Sequence, residues 1–552
     1  MKISIFALSA ALFAGLAQPA FAKVAVDPAE LTATVTTLAS DAFEGRAPGT
    51  AGEQRTIAYL VERFRKLGLQ PAGPGGQWVQ TVPLLHTRLG TPRALAFAGP
   101  TTIALEQSHG VYLSTVRPED TARIASAPLV FVGYGVKAPE RGWDDLKGAD
   151  LKGKVAVFLI NDPDFSAAPG EPVAGKFGGR TMTYYGRWTY KFEEAARQGA
   201  VGALIVHDTP GAGYGWNVVT SPGGENYDIA REAKDLTSLA LQGWIEGDTA
   251  TRLFAAAGLD LAKLRVDARS PAFRPVALAG MNFDADIPVN HELVESHNVL
   301  ARLPGTSRAG EVVMLGAHWD AYGKGKPDVQ GRVFRPGAND DALGIAGVLE
   351  IARALKAGPP PSRSVVFAAW TAEERGLLGS EYYASHPLFP LEKTVANLAI
   401  DILQTAGPAR DVVLVGKGQD TLEDDMARVA ATQSRTVAPE GLPERGLFYR
   451  ADHFSLAKRG VPVLLMMGIA GASNLKAGGV AAGQAWIDAY TGHCYHQTCD
   501  TIDADWNLAG AKQDIALIGT IADELAHSQR WPQWKPGSEF KAIRDRSAAA
   551  RK

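Results

Sequence analysis

Beyond residue 22 this chain of 552 residues has no uninterrupted apolar run of membrane length, so no stable membrane span is expected. Neither sign of charge is in excess. Fifty-six Lys and Arg stand against 59 Asp and Glu, a net charge of -3, which argues against a broad basic surface for nucleic acid or acidic membranes. A small, neutral or mixed substrate is the simpler expectation. Internal repeats and low-complexity tracts are also lacking. Cysteine is scarce: only Cys494 and Cys499 occur, on either side of His496. They can pair and pin that loop, remain as two buried thiols, or supply a metal ligand; the pairing is favoured if the chain is exported.

Export is what the first 22 residues suggest. Lys2, an apolar run over 3–16 and Ala20-Phe21-Ala22 have the order of a secretory signal with a small-residue cleavage site. A mature protein beginning near Lys23 is expected in the periplasm or the medium.

At this length two unequal domains are expected. Apolar residues recur at three and four over 28–67, predicting helices on either side of the polar, turn-rich Asp41 to Thr50 stretch, which reads as a surface loop. A second unit spans about 110–265, with strands over 127–136, 155–160 and 203–206 and a helix over 187–198. It shows no cluster of nucleophile, base and ligands, so binding, gating or packing suits it better than chemistry. The third part, to about 530, alternates helices with short Val-, Ile- and Leu-rich strands over 312–315, 365–369, 395–400, 412–415 and 461–466. Such strands are those of a mostly parallel α/β sheet buried on both faces, with ligands at the strand carboxyl ends. Residues 531–552 read as a frayed polar tail.

Metal-ligand residues collect at those strand ends. His318 closely follows the first strand, and Asp320 is placed to accept its second ring N–H. Asp340 precedes an apolar helix, where either it or Asp341 can cap. Glu373 and Glu374 follow the 365–369 strand, and as neighbours their side chains diverge, so one can bind a metal while the other reaches a water. Asp401 closes an apolar strand, where a buried carboxylate requires a paired charge or a cation. Either His493 or His496 could be a ligand by spacing alone, and Tyr495 offers a phenol for an oxyanion.

The motifs Gly-Ala-His-x-Asp, Pro-Gly-Ala-Asn-Asp-Asp, Glu-Glu-x-Gly-Leu-Leu-Gly-Ser and Tyr-His-x-x-x-Asp-Thr occur in this order between Gly316 and Thr501. In this they resemble the zinc-dependent exopeptidase family that includes secreted bacterial leucine aminopeptidases and glutamate carboxypeptidase. Phe43-Glu44-Gly45-Arg46 with Pro48-Gly49-Thr50 extends the likeness. Gly153-Lys154-Val155 and the stretch over 193–207 resemble the protease-associated domain inserted in many members. The chain departs from the family's commoner residues at Ala399 and Ala451.

The resemblance implies a signal over 1–22, a zinc peptidase domain over 23–109 and 266–530, a β-rich α+β insertion over 110–265 and the tail over 531–552. It implies two zinc ions: His318 and Asp401 on one, Glu374 and His496 on the other, and Asp340 bridging. Glu373 becomes the general base, Asp320 the partner of His318 and Tyr495 the oxyanion donor; Asp452 and His453 could line the peptide pocket or support the ligands from behind, and Arg450 is the candidate in that pocket for recognising a free carboxylate. The activity this implies is removal of residues from peptide N-termini. Carboxypeptidase action of the glutamate carboxypeptidase type and a non-catalytic peptide-binding, receptor-like protein are the alternatives. Glutaminyl cyclisation on one zinc does not call for the complete bridged set.

Overall fold

The computed structural model describes residues 24–222 and 224–551, and the signal segment expected over 1–22 lies outside them. Four strands, Val463–Met466, Thr394–Ile400, Arg308–His318 and Arg363–Trp370, lie side by side in that order, all parallel. Every residue of the first, second and fourth is buried, as a sheet covered on both faces requires. Successive side chains alternate between two cores: Val313, Leu315, Val365, Phe367 and Ala369 on one side, Val312, Met314, Val366, Ala368 and Trp370 on the other. The first core is closed by the helices Leu343–Ala357 and Ala509–His527, which pack on each other. Gly347 permits this close approach, since a Cβ there would lie 3.0 Å from Ile515 and 3.1 Å from Ile400. The thinner second layer is built from Leu378–Ser385 and His453–Ala457. The expected α/β architecture is therefore present.

One strand ties this sheet to a second. Val276–Leu303 runs antiparallel to Arg363–Trp370 through residues 299–303 and to Val79–Leu89 through 289–299. Its first half, 276–288, instead pairs with Thr121–Phe131. From there the second sheet continues through the parallel strands Val155–Leu159, Gly202–Val206 and Leu241–Ile245 to Gly110–Ser114. This unit has its own core, in which Phe131 meets Phe254 and Phe273 edge-on. Residues 94–98, on the near side of the unit in sequence, also pair with 282–286.

Two expectations are corrected. The apolar run at 412–415 does form a strand, Asp411–Leu414, but it pairs with Thr436–Pro439 outside the main sheet. Apolar content marks a run as buried; it does not choose its partner. The C-terminal segment is not frayed. Trp534 is 3% exposed and its indole N–H donates to the Gly460 carbonyl at 2.8 Å, and Phe540 is equally buried. Arg544, on the helix Lys541–Arg546, is buried and donates to the carbonyls of Leu391 and Thr394 at 3.2 and 2.9 Å. Charged neighbours mask these three anchors in a composition-based reading. Trp534→Ala is expected to cost about 3–5 kcal/mol, the range for emptying a buried aromatic site; a lowered urea midpoint at unchanged slope would register it.

Candidate active site

The ends of the parallel strands converge on one cluster. His318 is the last residue of its strand, Glu373 and Glu374 follow Trp370 by three and four positions, and Asp401 directly follows Ile400. Asp340 lies on the irregular turn Ala338–Ala342 ahead of the helix Leu343–Ala357, and the Asp340–Asp341 peptide is cis. Gly337 opens this turn with a positive φ of 54°, and a Cβ there would come within 2.1 Å of the Asp340 carbonyl oxygen. His496 is carried by the loop that a Cys494–Cys499 disulfide closes.

The two oxygens of Asp340 face different histidines. Oδ1 is 3.0 Å from His318 Nε2 and Oδ2 is 3.2 Å from His496 Nε2. Asp401 Oδ1 lies 3.8 Å from His318 Nε2, and Glu374 Oε2 lies 3.3 Å from His496 Nε2. Two ligand groups result, His318 with Asp340 and Asp401, and Asp340 with Glu374 and His496, the donor atoms of each within 4.8 Å of one another. Glu373 belongs to neither, although its carboxylate is 3.9 Å from His318 Nε2 and only 10% exposed.

Backbone N–H groups and carboxylates hold these loops in register. The Asp320 carboxylate accepts the backbone N–H groups of Glu373 and Glu374 at 3.0 and 3.4 Å. Contrary to expectation, the nearest acceptor to His318 Nδ1 is the Asp320 carbonyl oxygen, at 3.1 Å, and the carboxylate is 3.7 Å away. Asp341 accepts from the backbone of Gly344 at 2.9 Å and of His318 and Ile402 at 3.4 Å, which joins the helix start to two strand ends. Asp500 accepts from the backbone of Asn339 and Asp340 at 3.0 and 3.2 Å and from the Tyr490 hydroxyl at 3.1 Å. Arg46, expected on a surface loop, is fully buried and donates to the carbonyls of Leu38, Trp319, Pro336 and Gly337. Burial brings its pKa down to about 10, even beside Asp320 and Asp500.

Negative charge is in excess here. Burial, and then the neighbouring carboxylates, push Glu373 and Glu374 well above the usual carboxylate range, and Asp401 also lies above it. Asp340 is the exception: burial pushes it up, but hydrogen bonds from His318 and His496 outweigh this and hold it below its ordinary value. Asp401 Oδ1 is buried without a hydrogen-bond donor. Imidazole nitrogens and carboxylate oxygens around an uncompensated negative site suit a borderline divalent cation such as zinc.

The remaining candidates separate. Tyr495 is at the site, its ring centroid 3.6 Å from that of His496. Asp452 is buried, and burial raises its carboxyl to about 7. His453, one candidate for the peptide pocket or for support of the ligands, is fully buried with Phe448 edge-on at 5.0 Å, and burial lowers its pKa to about 3. On the helix His453–Ala457 it turns into the protein interior. Arg450 is partly exposed and its charge is felt by Glu373 and Tyr495. Tyr322 was not anticipated; its ring lies 4.5 Å from that of His496 and under the Arg375 guanidinium at 5.0 Å. Position two after Asp320 was its only sequence signal.

A mostly parallel α/β sheet thus carries, at its carboxyl edge, two groups of side chains that could hold metal ions. Residues 298–518 match the model of peptidase family M28. Leupeptin-inactivating enzyme 1 of Streptomyces exfoliatus is 30% identical over 215 residues, 37% of this chain and 43% of that protein. Aminopeptidase Y of Saccharomyces cerevisiae (strain ATCC 204508 / S288c) is 26% identical over 254 residues, 42% of this chain and 40% of that one. The matched stretch thus spans less than half the length of either relative. Among solved structures, the aminopeptidase from Aneurinibacillus sp. strain AM-1 aligns over 91% of this chain and 94% of that one, with 20% identity and a TM-score of 0.49.

Because Asp340 faces both ligand groups, Asp340→Asn is expected to lower zinc content at both, whereas Asp401→Asn should affect one. Metal analysis after dialysis against a weak chelator distinguishes them, and equal losses in the two variants would contradict the bridging position.

Proposed function

We propose that the protein is an exported two-zinc aminopeptidase that hydrolyses the N-terminal bond of peptides. The observation that carries this reading is the Asp340 carboxylate, each oxygen within 3.2 Å of a different histidine Nε2. His318 with Asp401 and Glu374 with His496 would hold one zinc each, and Asp340 would be shared. Zinc so held polarises a scissile carbonyl and acidifies water at neutral pH.

The chain's own groups account for the proton movements. Glu373 stands apart from both ligand groups, and burial keeps its carboxyl a stronger base than a solvated glutamate. It takes a proton from the attacking water and delivers it to the leaving amine. Its backbone N–H is anchored on Asp320, which limits the positions its side chain can reach. The Tyr495 phenol, beside His496, is suited to donate to the tetrahedral oxyanion. Secretion rests on the signal-like pattern of residues 1–22. The unit over 110–265 is read as a protease-associated domain that borders the peptide site, supported by the Met182 backbone N–H donating to the Pro443 carbonyl at 3.1 Å.

Chelation should abolish activity and zinc restore it. Glu373→Gln should retain zinc while kcat falls about 10²- to 10⁴-fold, the usual contribution of a positioned general base. Unchanged turnover by that variant would refute the assignment. Free peptides should be cleaved in preference to N-acetylated ones, and the reverse order would favour the carboxypeptidase reading.

A further inference from the structure

The two imidazoles of the ligand cluster are held by different means. His318 is 1% exposed and its Nδ1 lies 3.1 Å from the Asp320 carbonyl oxygen, the second ring contact by which a metal-ligating histidine is ordinarily oriented. His496 is 25% exposed, and its Nδ1 has no hydrogen-bond partner among the described residues. Its backbone also lies in the left-handed region, with a φ of 62°, which a residue other than glycine keeps only where its surroundings impose it. Closure of the loop by Cys494–Cys499 restrains the main chain but does not choose the plane of the ring.

Aromatic neighbours are left to set that plane. The Tyr495 ring belongs to the same loop and cannot fix it from outside. Tyr322 comes from the segment after His318, and its ring centroid is 4.5 Å from that of His496. Its flanking residues are fastened to a distant part of the chain, the Ala321 N–H donating to the Arg46 carbonyl at 3.3 Å and the Gly323 N–H to the Gly45 carbonyl at 2.9 Å. The Arg375 guanidinium lies 5.0 Å from the Tyr322 centroid and 5.2 Å from that of Tyr227, on the strand Glu225–Ile229 of the second unit. Tyr227 in turn stacks on His86, the rings 4.4 Å apart and inclined by 12°. Although Arg375 directly follows Glu374, its guanidinium makes no ion pair or hydrogen bond among the described residues, and its Nε is buried without a partner. Neutralising Glu374 is therefore not what holds it there; contact with ring faces is, a mode open to a planar guanidinium.

We infer that Tyr322 is a positioning residue for His496. Its ring takes the place of the missing hydrogen bond, and Arg375 with Tyr227 braces it, so that the hold of Glu374 and His496 on their zinc depends on a stack that begins in the second unit. The inference rests on the two-zinc reading above and adds to it the group that orients one ligand. It also gives the 110–265 unit a part in metal binding. Only the ring is used: the Tyr322 hydroxyl makes no hydrogen bond among the described residues.

The test titrates the metal-free full-length protein with zinc against a chromophoric chelator, which gives a dissociation constant for each of two ions without recourse to turnover. Tyr322→Ala is expected to weaken one ion about 10- to 100-fold, the range for losing a group that orients a ligand, and to leave the other within about threefold. Asp401→Asn should weaken the other ion, so that the double variant loses hold of both. Tyr322→Phe should bind as the wild type does, and Arg375→Ala should fall between, at about 2- to 10-fold, as the loss of a cation–π contact implies. Unchanged constants in folded Tyr322→Ala, or equal weakening of both ions, would overturn the positioning role and leave the two-zinc reading intact. A loss in Tyr322→Phe as large as that in Tyr322→Ala would overturn it too, by placing the effect on the hydroxyl. Uptake of fewer than two zinc ions by the wild-type protein would overturn both readings. Thermal melting of the metal-free forms shows which variants fold; if Tyr322→Ala does not, Tyr322→Leu is read in its place, since it keeps apolar volume without a ring face.

Discussion

The site depends on holding carboxylates from separate chain segments against one another where water cannot screen them. Asp340, Glu373, Glu374 and Asp401 converge on two imidazoles, and the negative charge exceeds what His318 and His496 can neutralise. Unpaired buried charge is among the most costly features a fold can carry. Much of the surrounding structure meets that cost by fixing the backbone. Asp320, Asp341 and Asp500 accept main-chain N–H groups from the very loops that bear the ligands. Side chains that would otherwise repel are thereby held where a divalent cation would draw them together.

A second layer of support comes from far along the chain. Arg46 precedes every ligand by more than 270 positions, yet its guanidinium joins the Trp319, Pro336 and Gly337 carbonyls. One cation thus couples the loop after His318 to the turn before Asp340. The Cys494–Cys499 disulfide restrains the His496 loop independently. The long strand Val276–Leu303 plays a comparable part between the two sheets, since its halves belong to different cores. Contacts of Met182 with Pro443 and of Tyr184 with Tyr449 and Phe454 then hold the second unit against the first.

Local sequence carried a good deal of this. Runs such as Val365 to Ala369 are apolar at successive positions because both faces are covered, and that pattern is legible without a structure. The candidate ligand residues were legible for a related reason: a carboxylate or imidazole directly after such a run sits at the carboxyl edge of a sheet, where crevices form. His318 and Asp401 satisfy that condition, and Glu373 and Glu374 lie three and four residues beyond the end of their strand at Trp370. Their grouping into a bridged set was supplied by resemblance of motif order, not by periodicity.

Other features required three dimensions because they depend on partners distant in sequence. The backbone role of the Asp320 carboxylate, the burial of Arg46, the inward turn of His453 and the packing of Trp534 and Arg544 leave no local trace. A lone arginine reads the same in sequence whether it faces solvent or, as Arg46 does, ends on four buried carbonyls. The sequence by itself determined the strand-end positions of the ligands, since burial pattern and side-chain type are local properties. Only the tertiary structure decided which oxygens face which histidines and which charges stay unpaired, because distances between remote segments are set by packing.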